Sequence, residues 1–484
     1  MEMNGLRKPL EQFARTKIVA TIGPACRNIA TLESLIQEGV SIFRLNMAHG
    51  DQKVHGEAMD MIYQASANIG SPVAVLVDLA GPKIRLGDLG EEPIECNVGD
   101  RFEFVRGETA HAKNQLVSIY EPLIDEVAEG NDILLSDGLV RVKVIEKQAD
   151  KAICEVKSGG TIRSRQGINL PGVNLSAPAL GEVDISNAHW AAQAGVDFIS
   201  ISFVRNASEI DQLREIINGH GSHASIVSKI EKPEALENLE SIVQATDAVM
   251  VARGDLGVEI DIAATAVAQK VIIQMCSQLG KPVIVATQML ESMHTSKRPT
   301  RAEVSDVANA ILDGADACML SGETAIGQFP VDAVQTMYRI MLNTETLVAR
   351  SDLWSEQTEQ NEEARHISDA VVTAAALIAS EIEARIVVIG TEDGDTALLS
   401  SKHRDLIPTI AISNSPETIR KMCLYWGIIP LPGNGVSDIK KIEQRIQEWA
   451  ESEESISTGD AVVYVADSES IDNAHDLIVV GKIK

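Results

Sequence analysis

The stretch PVIVATQMLESMHTSKRPTRAEVSDVANAILDGADACMLSGE, from Pro282 to Glu323, decides the fold. PVIVATQ is a β-branched run of strand length that ends on polar residues, and ACMLSGE from Ala317 is a second. Between them Val304, Val307, Ala308, Ile311 and Leu312 fall at i, i+3, i+4, i+7 and i+8, the spacing of one helical face. Thr300 with Glu303 makes a capping box at the start of that helix, and Gly314 supplies a left-handed stop. Strand, helix, strand in this order is one repeat of a parallel α/β architecture.

Working outward, the same kind of run recurs as KIVATIG from Lys17, SIFRLN from Ser41, PVAVLVD from Pro72, FISISF from Phe198, SIVSKIE from Ser225 and AVMVARGD from Ala248. Most are separated by helical periods, another of which places Val267, Val271, Met275 and Leu279 four apart before Gly280-Lys281-Pro282. Eight strands alternating with helices predict a closed (β/α)8 TIM barrel. Residues 1–80 and 179–350 are expected to form it.

From about Gly81 to Pro178 the period changes to two, as in Val140, Val142 and Val144 alternating with Arg141 and Lys143, and Asp137-Gly138 marks a hairpin turn. Residues 81–178 therefore read as a small β-barrel domain inserted at the catalytic end of the barrel, placed to act as a lid. After Leu353 the acidic SEQTEQNEEAR reads as a linker. RIVVIG, TIAIS, AVVYVA and DLIVVGK then indicate a C-terminal doubly wound α/β domain within residues 351–484.

The chain has 42 basic and 70 acidic residues and a formal charge of -28, which in bulk repels nucleic acid and anionic membranes. Aromatics at 3% argue against a stacking surface for single-stranded nucleic acid. Six scattered cysteines show no CxxC pair or zinc spacing and read as reduced, mostly buried thiols. No run approaches the apolar length of a membrane helix and the first residues lack an apolar signal core, so a cytoplasmic location is expected.

Barrel chemistry is assembled at the carboxyl ends of the strands. Those ends carry Arg44 and Asn46, Asp78, Lys229 and Glu231, Arg253-Gly254-Asp255, Thr287, and Ser321 with Glu323. Glu231 and Asp255 offer oxygen ligands for a hard divalent ion, or alternatively pair with Lys229 and Arg253 as a structural network. Lys229 lies two residues before Glu231, so both point to one face, where an ammonium suits a phosphoryl group in transit. Arg44 can grip a phosphate or carboxylate with its planar fork.

FRLNMAHG from Phe43, VDLAGPKIR from Val77, SKIEKPEAL from Ser228, MVARGDLGVEI from Met250, ATQMLESM from Ala286 and PTRAEVSDVANAILDGADACMLSGETA from Pro299 closely resemble pyruvate kinases. The resemblance implies transfer of the phosphoryl group of phosphoenolpyruvate to ADP, with Lys229 stabilising that group and Glu231 and Asp255 holding Mg2+ (or Mn2+). It implies substrate contacts from Arg44, Lys229, Gly254, Asp255 and Thr287, with Thr287 at the site of enolate protonation. Asn46, His49, Arg85 and Gln166 match nucleotide-binding positions; Gln166 stands where the family commonly has Lys, and Arg163 or Arg165 is the alternative phosphate contact. A homotetramer is expected by the same resemblance. Potassium-dependent members carry Ser and Thr ligands where this chain has Ala48 and Leu79, and a Glu where it has Lys83, so Lys83 is expected to substitute for the monovalent cation. The loop Thr391-Glu392-Asp393-Gly394-Asp395-Thr396 stands where sugar-phosphate-regulated members cradle a phosphate, and its three carboxylates predict no activation by fructose 1,6-bisphosphate. Two other readings of the barrel are a metal-dependent pyruvate aldolase and a non-catalytic regulatory homologue. The inserted domain and the retained charged residues argue against each in turn.

Overall fold

Strands β1 (Lys17–Thr21), β2 (Val40–Asn46), β3 (Ala74–Asp78), β4 (Phe198–Ile201), β5 (Ser225–Ile230), β6 (Ala248–Ala252), β7 (Val283–Ala286) and β8 (Ala317–Leu320) close into a parallel barrel. The computed structural model describes residues 8–349 and 367–484 apart from residues 83, 137, 174, 437, 454 and 468–474. Closure is made by β1 against β8, in register from Lys17 opposite Ala317 to Ala20 opposite Leu320. Within a strand such as AVMVA, Val249 and Val251 pack outward against the helices while Ala248 and Met250 fill the barrel interior. Burial on both faces is why these runs are continuously apolar rather than alternating.

The helix Arg301–Leu312 has the expected capping box: Thr300 Oγ1 accepts from the Glu303 amide at 3.2 Å, and Glu303 Oε2 accepts from the Thr300 amide at 2.7 Å. Gly314 follows at φ +99°. The helix Ile262–Gln278 forms as expected but turns a different face inward. Val267 is 63% and Val271 48% exposed, while Ala268, Gln269, Ile272, Ile273 and Cys276 are buried. Val267 and Val271 of the expected stripe thus face outward, while Met275 and Leu279 pack partly buried against the core.

Between β3 and β4 lie a six-stranded and a two-stranded sheet around a separate core that includes Leu86, Phe104, Val140 and Val142. Asp132–Leu135 and Val140–Lys147 form the expected hairpin, with Gly138 at φ +87°; Asp137 lies outside the described residues. The stretch from 355 to 365 also lies outside them.

The C-terminal domain is a five-stranded sheet of β9 (Ile386–Gly390), β10 (Thr409–Ser413), β11 (Ile428–Pro432), β12 (Ala461–Asp467) and β13 (His475–Lys482), in the order β11-β10-β9-β12-β13. β13 is antiparallel and the others parallel. Charged contacts join this domain to the barrel's amino-terminal face. Lys402 Nζ reaches Asp316 Oδ2 at 2.8 Å, Arg404 reaches Asp316 at 3.1 Å, and Arg420 Nε reaches Asp197 Oδ1 at 2.7 Å. All six cysteines are buried.

Candidate active site

In β2, Phe43 and Leu45 join the outer core, which leaves Arg44 and Asn46 on the other face. The register sets Asn46 beside Asp78 at the end of β3. Arg44 donates from Nε to Asp78 Oδ2 at 2.7 Å, holds the same oxygen through its terminal nitrogen at 2.5 Å, and reaches Thr21 Oγ1 at 3.1 Å. Asp78, 1% exposed, also accepts from Ser200 Oγ at 2.5 Å and lies 3.4 Å from Lys229 Nζ.

Lys229 is 9% exposed, its ammonium 2.9 Å from Glu231 Oε1 and donating to Ser202 Oγ at 2.7 Å. Burial presses its pKa down, but Asp78 and Glu231 outweigh burial and raise it above the ordinary lysine value. The same balance acts on Asp78: burial pushes its carboxyl up, yet Lys229 and Arg44 hold it below the usual range. Glu231 is fully buried and accepts the Phe203 amide at 2.7 Å. Burial, helped by Asp255, raises its pKa against the pull of Lys229. Its Oε1 finds no well-directed hydrogen bond among the described residues despite the nearby ammonium. A buried, under-satisfied oxygen with a second carboxylate near it fits a hard divalent cation.

After β7, Thr287 and Gln288 both adopt left-handed backbone, φ +70° and +54°. Such non-glycine residues cost about 1–3 kcal/mol each and persist only when their surroundings fix them. Arg253 supplies part of that fixation, donating to Ala286 O at 3.3 Å and Thr287 O at 2.8 Å while paired with Asp306 at 2.7 Å. Thr287 Oγ1 accepts the Gly254 amide at 2.8 Å and donates to Ala286 O at 2.6 Å.

Asn46 ends β2 and His49 lies at the rim just beyond it; Asn46 Oδ1 accepts the Ala48 amide at 3.1 Å and His49 is exposed. Arg85 and Gln166 sit together elsewhere, on an antiparallel bridge between Arg85 and Gly167 in the inserted domain. Gln166 Oε1 accepts the Arg163 amide at 2.6 Å, so its side chain closes a local turn, while Arg163 and Arg165 are exposed. Lys83 lies outside the described residues. Sequence reading missed Thr21, Ser200, Ser202 and the Phe203 amide. The serines were visible at period two in FISISF, where a polar residue between buried ones faces the barrel mouth.

Two cations held among three carboxylates at the mouth of a TIM barrel, under an inserted domain, define an enzyme for anionic substrates. The barrel-domain profile of pyruvate kinase matches residues 13–334, and the pyruvate kinase alpha/beta domain profile matches residues 369–480. The chain belongs to the pyruvate kinase family and is a phosphotransferase. It is 39% identical over 455 residues to a pyruvate kinase of Geobacillus stearothermophilus, covering 93% of this chain and 77% of that protein. It is 40% identical over 480 residues to pyruvate kinase 2 of Synechocystis, covering 97% and 79%. A crystal structure of a pyruvate kinase from Cryptosporidium parvum superposes with a TM-score of 0.92 at 35% identity, covering 98% of this chain and 97% of that one. Family membership implies phosphoenolpyruvate and ADP as substrates and dependence on a divalent metal. Among the described residues no helix is long and apolar enough to cross a membrane.

Proposed function

We propose that the chain transfers the phosphoryl group of phosphoenolpyruvate to ADP, giving pyruvate and ATP in the last step of glycolysis, at the Arg44–Lys229–Thr287 mouth. The observation that carries this reading is Lys229, a buried ammonium kept charged by Asp78 and Glu231. It neutralises charge on the phosphoryl group as that group passes from the enol oxygen to the nucleotide. Arg44, oriented by Asp78, holds the substrate phosphate. Glu231 and Asp255 would hold the Mg2+ (or Mn2+), which would supply positive charge to offset that of the anionic substrate. Asp255 and the Gly254 segment also border the substrate, and Thr287 lies where the enolate takes its proton at C3 through water. Asn46, His49, Arg85 and Gln166 serve the nucleotide, with residues 81–178 closing over it.

Lys83 takes the electrostatic place of a monovalent cation, because Ala48 and Leu79 supply no side-chain oxygen. Turnover in a Tris salt background is then expected to change little on adding potassium, and Lys83→Glu to impair it; a large rise with potassium in the unmodified protein overturns this. The outward apolar stripe of Ile262, Val267 and Val271 supports a homotetramer. The enzyme works in the cytoplasm. The decisive experiment incubates the pure protein with phosphoenolpyruvate, ADP and Mg2+ and follows pyruvate; no pyruvate above the protein-free rate overturns the reading.

A further inference from the structure

Glu291 and His294 lie on the 3-10 turn Glu291–His294 after β7, and Glu323 on the short helix Gly322–Ala325 after β8. His294 Nε2 is 3.8 Å from Glu291 Oε1 and 4.0 Å from Glu323 Oε2, and one ligand atom from each of the three residues lies within 4.8 Å of the others. Nε2 is buried and has no hydrogen-bond partner among the described residues. Glu323 is fully buried and takes up the Leu290 amide at 3.0 Å and the Ser321 amide at 2.7 Å, yet no Lys or Arg pairs with it among the described residues. Burial accordingly raises its pKa.

The arrangement is held in place. Glu303 fixes the turn by accepting the Ser292 amide at 2.7 Å and the Ser292 hydroxyl at 2.6 Å. The imidazole rests against Gly322, where a Cβ would lie 2.2 Å from its Cε1 and 2.3 Å from Nε2. A side chain at position 322 would require the ring to move.

We propose that Glu291, His294 and Glu323 form a second divalent-cation site, separate from the Glu231–Asp255 pair and suited to a borderline ion such as zinc or cobalt. Magnesium prefers all-oxygen, octahedral surroundings, whereas an imidazole nitrogen with two carboxylates suits later first-row ions. Bonds of about 2.0–2.2 Å put tetrahedral ligand atoms about 3.3–3.6 Å apart, so the present separations need only a modest inward step. Glu291, with its side chain 55% exposed, is free to make that step. Three protein ligands leave one position for water. The inference does not rest on the substrate-site assignment.

The test uses the metal-stripped full-length protein in excess Mg2+, dialysed to equilibrium against Zn2+, with circular dichroism confirming the fold of each variant. One zinc per chain is expected, and His294→Ala should abolish it. Glu291→Gln should weaken it by at least about the 10–100-fold seen when a ligand merely loses its support. Co2+ should give the visible absorption of a low-coordinate nitrogen–oxygen site in the unmodified protein and lose it in His294→Ala. The rival is the exposed His189–His220 pair, whose ring nitrogens lie 2.7 Å apart. Equal zinc binding by the unmodified protein and His294→Ala, or loss of the bound zinc on His189→Ala, overturns the proposal.

Discussion

The two ends of the barrel bury the same residue types and treat them oppositely. At the mouth, Lys229 has its pKa raised and Asp78 has its pKa lowered, so both are driven toward charge. At the base, burial lowers the pKa of Lys402 and pushes Asp197 up to about 6, so both are driven toward neutrality. The difference is in the number of partners. Lys229 has two carboxylates and Asp78 two cations, whereas Lys402 must share Asp316 with Arg404, and Asp197 has Arg420. A buried ion pair alone is ambiguous between a site and a fastening. Here Lys229 and Asp78 at the mouth are held toward charge, and the pairs at the base fasten one domain to another.

Replacing one lysine at each end tests this division. Lys229→Met should lower kcat by at least about 10²–10³-fold, the scale for removing one preorganised electrostatic group, while circular dichroism shows a retained fold. Near-normal turnover with Mg2+ present would erase the distinction. Lys402→Met should leave the chemistry far less affected but destabilise the folded chain, by about 3–5 kcal/mol if Asp316 is left under-compensated. Urea unfolding followed by C-terminal tryptophan fluorescence measures it, since Trp426 and Trp449 are both buried. An unchanged midpoint would show that the base contacts are ornamental.

The division was only half legible in the sequence. Barrel strands could be read because burial on both faces gives uninterrupted apolar runs, and the mouth because charge at a strand end stands out against them. What failed were features that depend on packing. In Ile262–Gln278 the valines looked like the core face, but the buried residues include Ala268, Gln269 and Cys276, which carry little apolar weight. β11 was missed because Pro430 and Pro432 argue against a strand, yet it forms an edge of the C-terminal sheet, where proline is tolerated. The base network joins Asp197 and Asp316 to residues 223 and 86 positions away, a pairing no local spacing reveals.

The pH profile of stability offers a smaller test. Folded Asp197 keeps its proton up to about 6, whereas the unfolded carboxyl releases it near about 4. Between those values folding takes up a proton, so stability falls as pH rises through the window and the loss is complete above it. Asp78 has the opposite sign: its contribution is present at neutral pH and fades only as pH falls below the ordinary carboxylate value. Asp197→Asn should therefore make the slope of thermal stability from pH 4 to 7 less downward than in the unmodified protein, whereas Asp78→Asn leaves it in place. An identical slope in Asp197→Asn contradicts the assignment.

The least change is expected from fructose 1,6-bisphosphate, and here too the base differs from the mouth. A cavity of about 870 Å³ between the barrel base and the C-terminal domain is lined by Lys281, Lys402 and Lys421, which resemble an anion cradle at first sight. Each is already engaged. Lys281 Nζ donates to Thr246 O at 2.7 Å, Lys402 is bound to Asp316, and Lys421 lies 3.7 Å from Asp395. The loop itself is closed on its own groups: Thr391 Oγ1 accepts the Gly394 amide at 3.0 Å, and Asp393 Oδ1 accepts the Asp395 amide at 2.9 Å. Amides that would meet a phosphate thus meet a hydroxyl and a carboxylate of the chain, and Asp247, Glu392 and Asp395 border the same space. At 4 Å a like-charge pair costs about 1 kcal/mol even in bulk water and more in a partly closed cavity. Fructose 1,6-bisphosphate at millimolar concentration should accordingly leave the phosphoenolpyruvate dependence of the rate unchanged, and Asp393→Ser with Asp395→Ser should be the route to any response. Saturable activation of the unmodified protein, lost when this loop is altered, would show that the cavity holds charge in reserve as the mouth does.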